Sequence, residues 1–148
     1  MNDIKLDELY RIVADFRAAI VAAKMDGKFG SNDTMSLFPR GCCELSCDLL
    51  AYYLFDQYSI KTDRYNGLYD DDIPENITNH EWLTYKNTII DITYSQFRFV
   101  TGSKEETFFG VDNGFYGSLE RVKKHPFYDI RKNKRLFFDY KIICEYLP

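Results

Sequence analysis

Two adjacent thiols stand where the sequence changes from a turn to a segment with helical spacing. The stretch FPRGCCELSCDLL, residues 38–50, places Cys42 and Cys43 directly after a proline and a glycine. Cysteine reacts as the thiolate, and the free N–H groups and dipole of a helix N-terminus favour that anion. Cys43, where the predicted helix begins, is therefore better placed than Cys42 to be a nucleophile. The alternative is a cysteine that only fills the core, because cysteine is among the most often buried residue types.

A thiol nucleophile needs a base, and the base needs an orienting acceptor. The stretch HEWLTYKNTIIDIT, residues 80–93, predicts a β-hairpin with Lys86 and Asn87 at the turn. This turn sets Tyr85 opposite Thr88. Because side chains alternate along strands, four side chains then share one face: His80, Trp82, Asp91 and Thr93. Diagonal neighbours on a face are about 7–8 Å apart at Cα, which is within reach of a hydrogen bond between His80 and Asp91.

The apolar surroundings of Asp91 support the same pairing. Its neighbours in TIIDIT are apolar, and the residues predicted to face the core are Leu83, Ile90 and Ile92. A buried carboxylate needs a partner, and His80 is the nearest candidate. The second of the two histidines, His125, lies in a basic stretch that we expect to be exposed, and it stays open as an alternative base. We assign substrate contacts to Gly41, Cys42 and Trp82, since a glycine lets a substrate backbone come close.

The order Cys, His-x-Trp and Ile-Asp-x-Thr resembles the transglutaminase-like branch of the papain-like cysteine hydrolases. FPRGCCELSCDLL is similar to that group's nucleophile helix, HEWL to its histidine strand and IIDIT to its aspartate strand, over residues 36–97. The resemblance implies that Cys43 is the nucleophile, His80 the general base and acid, and Asp91 the orienting group. It also implies a papain-like or transglutaminase-like core. Papain-type enzymes keep a glutamine six residues before the nucleophile as an oxyanion donor, and Leu37 stands there instead. Only one donor is then assigned, the backbone N–H of Cys43.

The expected function is that of a cysteine-dependent hydrolase or acyltransferase acting on an amide, ester or thioester carbonyl. Peptidases, deamidases and transglutaminases share this first step, and a protein or peptide substrate is expected. One alternative is a non-catalytic partner-binding module on the same fold. A less favoured one is a metal site formed by Cys43, Cys47, His80 and Asp91. Structural zinc sites usually carry ligand pairs from short knuckles, which this sequence lacks, so we expect no metal and no cofactor.

Helical spacing predicts the elements that must position these residues. Apolar residues recur at helical spacing over residues 3–25, with Asn2 or Asp3 available as a cap and Gly27 as a stop, and again over residues 43–57. The turn-rich stretch between these two helices is expected to be a surface loop. After the hairpin come an irregular glycine-containing region, a basic stretch at 119–129 and an apolar tail that is either a strand or a helix. Helices followed by strands predict a single α+β domain over residues 1–148, with the N-terminal helices packed on an antiparallel sheet.

Composition narrows the classes of function. The 148-residue chain has a formal net charge of −4, which argues against nucleic-acid binding because that requires a basic face. Apolar runs are too short for a membrane span, and the charged start MNDIKLDELYR lacks the apolar core of a signal peptide. We therefore expect a cytoplasmic protein with reduced thiols that does not bind membranes, and export by a signal-independent route stays open.

Overall fold

The computed structural model describes residues 3–148, which form an α+β fold as predicted. Its helices are α1 (Leu6–Met25), α2 (Cys43–Tyr58), α3 (Arg98–Thr101) and α4 (Lys134–Glu145). Its strands are β1 (Asp63–Tyr69), β2 (Thr78–Tyr85), β3 (Thr88–Asp91), β4 (Phe108–Gly110) and β5 (Glu120–His125). They form one antiparallel sheet in the order β4-β3-β2-β1-β5.

Helix α1 follows the predicted pattern but begins later than expected. Its apolar stripe is buried, and the chain turns away at Gly27, which has a φ of 69°. The residue before the first turn is Lys5, and its side chain makes no capping hydrogen bond. Asp3 is therefore not the cap; its carboxylate accepts a hydrogen bond from Lys86. The other proposed cap, Asn2, lies outside the described residues.

Helix α2 begins at Cys43, as predicted, and it is central in the fold. Every residue from Ser46 to Leu54 is buried, because the helix contacts both β2 and α4. A helix enclosed in this way does not need one polar and one apolar face. The first turn remains outside this enclosed part, so Cys43 lies where the buried helix reaches the surface.

The segment between α1 and α2 is not a surface loop. Phe29, Met35 and Phe38 are at most 5% exposed and belong to the main core. The predicted turns are present, since residues Thr34–Leu37 form a short 3₁₀ helix that the Asp33 side chain caps. Spaced apolar residues between turn residues attach this segment to the core, and the chain that leads to Cys43 is anchored as a result.

The β2–β3 hairpin has the predicted register. Tyr85 pairs with Thr88 and Leu83 with Ile90, and Lys86 adopts the left-handed conformation at the turn, with a φ of 56°. Leu83, Ile90 and Ile92 join the core formed with the helices. Trp82 lies in a second, mostly aromatic cluster with Tyr94, Phe97, Phe115 and Tyr116. The two faces of the sheet therefore bury different side chains, as the alternation predicted.

The last part of the chain contains the basic stretch and the apolar tail, whose secondary structures the sequence left open. The apolar tail is helix α4, whose first turn is capped by the Asn133 side chain accepting a hydrogen bond from the Leu136 backbone N–H, at 3.0 Å. The basic stretch contains β5, an exposed edge strand. Among residues 3–148, no helix is long and apolar enough to cross a membrane.

Candidate active site

The structure separates the two adjacent thiols. Cys43 is the first residue of α2 and is partly exposed. Cys42 is fully buried, and its thiol donates hydrogen bonds to the carbonyl oxygens of Thr34 at 3.1 Å and Arg40 at 3.3 Å. Burial raises the pKa of Cys42 to about 12, with smaller contributions from Cys43 and Asp33. Cys42 is therefore a structural residue, and its expected contact with a substrate is not supported because its side chain does not reach the surface.

His80 and Asp91 form the predicted hydrogen-bonded pair, and Cys43 is the neighbouring thiol. The Nε2 atom of His80 lies 2.6 Å from Oδ2 of Asp91, and both side chains are fully enclosed. Burial by itself would lower the pKa of His80. The Asp91 carboxylate, its hydrogen bond and the nearby Cys43 thiol together outweigh burial and raise that pKa to about 9. The imidazole of His80 is therefore protonated at neutral pH.

The second ring nitrogen of His80 is available to the thiol. Nδ1 is buried and has no hydrogen bond of ordinary geometry with any of the described residues. The Cys43 side chain is close enough to contribute to the raised pKa of His80 as a hydrogen-bonding neighbour. With Nε2 engaged by Asp91, Nδ1 is the atom through which His80 can exchange a proton with Cys43.

Asp91 is held by more groups than the hairpin alone could supply. Its Oδ1 accepts from the backbone N–H of Thr93 at 3.1 Å and from the Thr93 hydroxyl at 3.3 Å. Its Oδ2 accepts from the Tyr116 hydroxyl at 2.6 Å. Burial, and next the Asp91 charge, raise the pKa of Tyr116, so this hydroxyl remains a donor. A buried carboxylate with several donors stays fixed in one orientation, which in turn fixes the His80 ring.

Sequence reasoning missed Tyr116. It lies in a short 3₁₀ turn, Tyr116–Ser118, within the region expected to be irregular. It is one of 12 tyrosines and stands 25 residues beyond Asp91, and no local pattern distinguishes it from the others. Only the chain path across the aromatic face of the sheet brings it to the carboxylate.

Aromatic rings surround the imidazole of His80. The Phe97 ring packs edge-on against it with centroids 4.7 Å apart, and Trp82 stacks at 6.0 Å. Trp82 is only 4% exposed. In this structure it supports His80 directly, and its expected contact with a substrate stays a prediction. The rings exclude water from the side of His80 that faces the second cluster, which strengthens the interaction of the imidazole with Asp91.

Gly41 is exposed and lies two residues before Cys43, and its expected contact with a substrate stays a prediction. It has a φ of 67°, and a side chain at this position would meet no atom within 4 Å. Its backbone N–H donates to Oε1 of Gln96 at 3.3 Å. Next to it is a cavity of about 550 Å³, lined by Lys24, residues 36–40, Ser95 and Gln96. The segment before Cys43 therefore forms one wall of a surface cavity.

Arg17 supports the site from α1. Its Nε donates to the Ile92 carbonyl oxygen at 2.8 Å, and its Nη1 pairs with Glu106 at 2.8 Å. Burial lowers the pKa of Arg17, and the charges of Glu106 and Asp91 oppose that effect. This contact joins α1 to the residue after Asp91 and restrains the chain where the hairpin ends. The helical pattern gave no reason to expect a buried arginine there.

The remaining candidates lie elsewhere. His125 lies on the edge strand β5, opposite Arg64 of β1 in the sheet. Strands β1 and β2 separate β5 from β3, so His125 is not the histidine beside Asp91. Within residues 3–148, no three histidine, cysteine or acidic side chains are grouped to hold a metal ion. The proposed set of Cys43, Cys47, His80 and Asp91 therefore does not form a ligand cluster.

No protein-family model, curated protein or solved structure matched this chain.

Proposed function

We propose that this protein is a cysteine-dependent hydrolase or acyltransferase in which Cys43, His80 and Asp91 act as a triad. The observation that carries the proposal is the arrangement around His80. One ring nitrogen is held by Asp91 at 2.6 Å, and the other is buried, without a regular hydrogen bond and next to the partly exposed Cys43. A nucleophile, a base within reach of it and a group that orients the base form the constellation needed for thiol catalysis.

In the proposed chemistry, Cys43 and His80 rest as a thiolate–imidazolium pair, in which Nδ1 of His80 holds the proton of the Cys43 thiol. The thiolate attacks the carbonyl carbon of an amide, ester or thioester, a C–S bond forms, and the carbonyl π electrons move to oxygen. When the carbonyl reforms, the bond to the leaving group breaks and His80 gives its proton to that group. Water or an amine then attacks the acyl-enzyme and gives a proton to His80. The C–S bond breaks, and the thiolate–imidazolium pair is restored.

The ionisation of the neighbouring groups supports this role. Since the pKa of His80 is raised to about 9, the imidazolium is present at neutral pH, where it can stabilise a thiolate and protonate a leaving group. Burial raises the pKa values of the other three cysteines, Cys42, Cys47 and Cys144. Those thiols stay protonated and are poor nucleophiles.

A transglutaminase-like core and a protein or peptide substrate are part of the same proposal.

Site-resolved alkylation tests the proposal. The native protein is treated with iodoacetamide between pH 4 and 9, and each cysteine is followed by mass spectrometry. We expect Cys43 alone to stay reactive well below pH 7, because an imidazolium keeps its partner thiol ionised, whereas an ordinary thiol loses reactivity below about pH 8.5. His80→Gln should remove the low-pH reactivity.

The matched control changes the other histidine. His125→Gln makes the same substitution on β5, away from Asp91, and should leave the alkylation profile of Cys43 unchanged. If Cys43 of the unmodified protein reacts like an ordinary thiol, the triad is not functional, and the non-catalytic partner-binding module becomes the better account.

A further inference from the structure

We propose that the side-chain amide of Gln96 is the second oxyanion donor of this site, acting together with the backbone N–H of Cys43. The inference rests on the proposed function, because an oxyanion forms only if Cys43 attacks a carbonyl. It assigns a catalytic role to a residue that follows the aspartate strand, far in sequence from the nucleophile. The expected position for such a donor, before the nucleophile, is occupied by Leu37, which is exposed and has no polar side-chain atom.

The orientation of the Gln96 amide follows from its contact with Gly41. The backbone N–H of Gly41 lies 3.3 Å from Oε1, and only the oxygen of an amide can accept that hydrogen. Nε2 and Oε1 share one carbon, so Nε2 lies beside the same backbone segment, two residues before Cys43. Gly41 thus holds the amide in the orientation that keeps its N–H₂ group free.

The free amide nitrogen is an exception to the usual pattern of buried polar groups. Nε2 of Gln96 is buried and has no hydrogen-bond partner among residues 3–148. A buried donor without a partner costs about 1–3 kcal/mol, and nearly all such groups in proteins are paired. An amide N–H₂ group that lacks a partner, held against Gly41 two residues before Cys43, is suited to an acceptor that appears only during reaction.

Contacts made by its neighbours Thr93 and Phe97 connect Gln96 to Asp91 and His80. It belongs to the 3₁₀ turn Tyr94–Phe97, and its backbone N–H donates to the Thr93 carbonyl oxygen at 3.1 Å. Thr93 donates to Asp91, and Phe97 packs on the His80 ring with centroids 4.7 Å apart. Gln96 therefore connects the turn that carries the orienting group to the turn that carries the nucleophile.

The adjacent cavity provides room for a substrate. Gln96 lines the cavity of about 550 Å³ together with Ser95, Lys24 and residues 36–40. Because the chain from this wall continues through Gly41 to Cys43, the proposal places the acyl group of the substrate in this cavity, with its carbonyl towards the start of α2. Attack by Sγ moves the π electrons onto the carbonyl oxygen, and the Cys43 N–H and the Gln96 Nε2–H then both donate to that oxygen.

Two reagents distinguish oxyanion stabilisation from thiol reactivity. p-Nitrophenyl acetate acylates a thiolate at a carbonyl: the C–S bond forms, an oxyanion develops, and its collapse expels p-nitrophenolate. Iodoacetamide reacts at a saturated carbon and expels iodide without forming an oxyanion. Gln96→Glu keeps an oxygen to accept from Gly41 but removes the N–H₂ group, and Gln96→Ala removes both. The matched control, Gln57→Ala, removes an exposed amide on α2 whose side chain donates to Asp56.

We expect both Gln96 variants to lower the acylation rate of Cys43 by about 10²–10³-fold, the usual loss of one oxyanion donor. Their iodoacetamide rates between pH 4 and 9 should match the unmodified protein, and Gln57→Ala should change neither reaction. Unaltered acylation in the Gln96 variants would overturn the assignment. Equal losses with both reagents would also overturn it, since Gln96 would then act by holding the thiol in place.

The same measurements separate this inference from the proposed function. If Cys43 of the unmodified protein alkylates at low pH but is not acylated by the ester, the triad survives and the oxyanion site does not. If Cys43 fails to alkylate at low pH, the proposed function itself fails. Thermal unfolding of each variant identifies a loss of rate that comes from misfolding.

Discussion

The ionisation of His80 results from two opposing effects at a single residue. Complete burial removes the imidazolium from water and lowers the pKa, while the Asp91 carboxylate at 2.6 Å and the Cys43 thiol raise it. The charged neighbour prevails because a short ion pair in an enclosed aromatic surrounding is weakly screened. The resulting pKa of about 9 is high for a histidine and depends on the negative charge of Asp91.

Asp91→Asn should lower the pKa of His80 by more than one unit. The asparagine can still contact the ring, but it removes the charge that opposes burial, so the effect of desolvation then dominates. NMR titration of the two histidine side chains measures this directly, and His125→Gln identifies the signal of His80. Asp63→Asn, at an exposed carboxylate that pairs with Lys124, serves as the control and should leave the His80 midpoint near 9. An unchanged midpoint in Asp91→Asn would show that Asp91 does not set the ionisation of His80.

The packing of strands β1 and β2 around His80 depends on a close contact at Gly67. Gly67 of β1 pairs with His80 of β2. A Cβ at Gly67 would lie 2.9 Å from the Leu119 Cβ and 3.2 Å from the Trp82 ring. Its φ is not in the left-handed region, so this glycine is required for space and not for backbone conformation. The absent side chain leaves the room at Gly67 that Leu119 and the Trp82 ring occupy.

Gly67→Ala should destabilise the protein by about 1–3 kcal/mol, the usual cost of overpacking a filled core. The added methyl group must displace Leu119 or Trp82, and moving Trp82 should also slow the low-pH alkylation of Cys43 through His80. Denaturant unfolding and iodoacetamide labelling measure the two effects. Gly30→Ala introduces the same methyl group where no atom lies within 4 Å, and it should change neither. A Gly67→Ala protein of normal stability would mean that the sheet adjusts easily at this point.

The register of the β2–β3 hairpin was predictable because it depends on local chemistry. A two-residue turn and alternating side chains determine which residues face each other, and both are visible within residues 80–93. The contacts of Arg17, Gln96 and Tyr116 around these residues were not predictable. Each of them reaches the site across a long sequence separation, and their spacing carries no sign of it.

At the scale of the whole molecule, two buried aspartates have pKa values well above the ordinary range. Burial raises the pKa of Asp48 to about 7, although Arg64 lies 3.0 Å away and opposes the shift. Burial and the neighbouring Asp33 carboxyl raise the pKa of Asp139 to about 8. The folded protein thus binds these protons more tightly than the unfolded chain, whose aspartates ionise near 3.8. The stability that the protonated groups contribute is complete below about pH 4 and is lost as the pH rises towards 8.

The free energy of unfolding should therefore fall between pH 5 and pH 9. His80 acts in the same direction, since its pKa rises from 6.5 to about 9 on folding and its stabilisation is lost as the pH passes through that interval. Asp139→Asn should remove part of the loss and raise the stability at pH 8–9 by about 2–4 kcal/mol, with little effect near pH 4. Denaturant unfolding across this range measures it.

Glu105→Gln is the matched control for the pH series. Glu105 is exposed, so replacing its carboxylate should leave the pH dependence unchanged. If Asp139→Asn lowers stability at pH 8–9 instead, Asp139 is ionised and stabilising in the folded protein, and its pKa is not raised.

The sequence by itself determined what depends on neighbouring residues. It specified a helix that starts at Cys43, a hairpin with His80 and Asp91 on one face, and an α+β order of elements, because caps, turns and side-chain periodicity act over a few positions. Tertiary structure alone decided the rest. It buried Cys42 and left Cys43 accessible, and it carried Tyr116 to Asp91 over 25 residues and Gln96 to Gly41 over 55. Such contacts follow from how whole elements pack, since the free energy of burying the two faces of the sheet, and not any local preference, brings distant residues together.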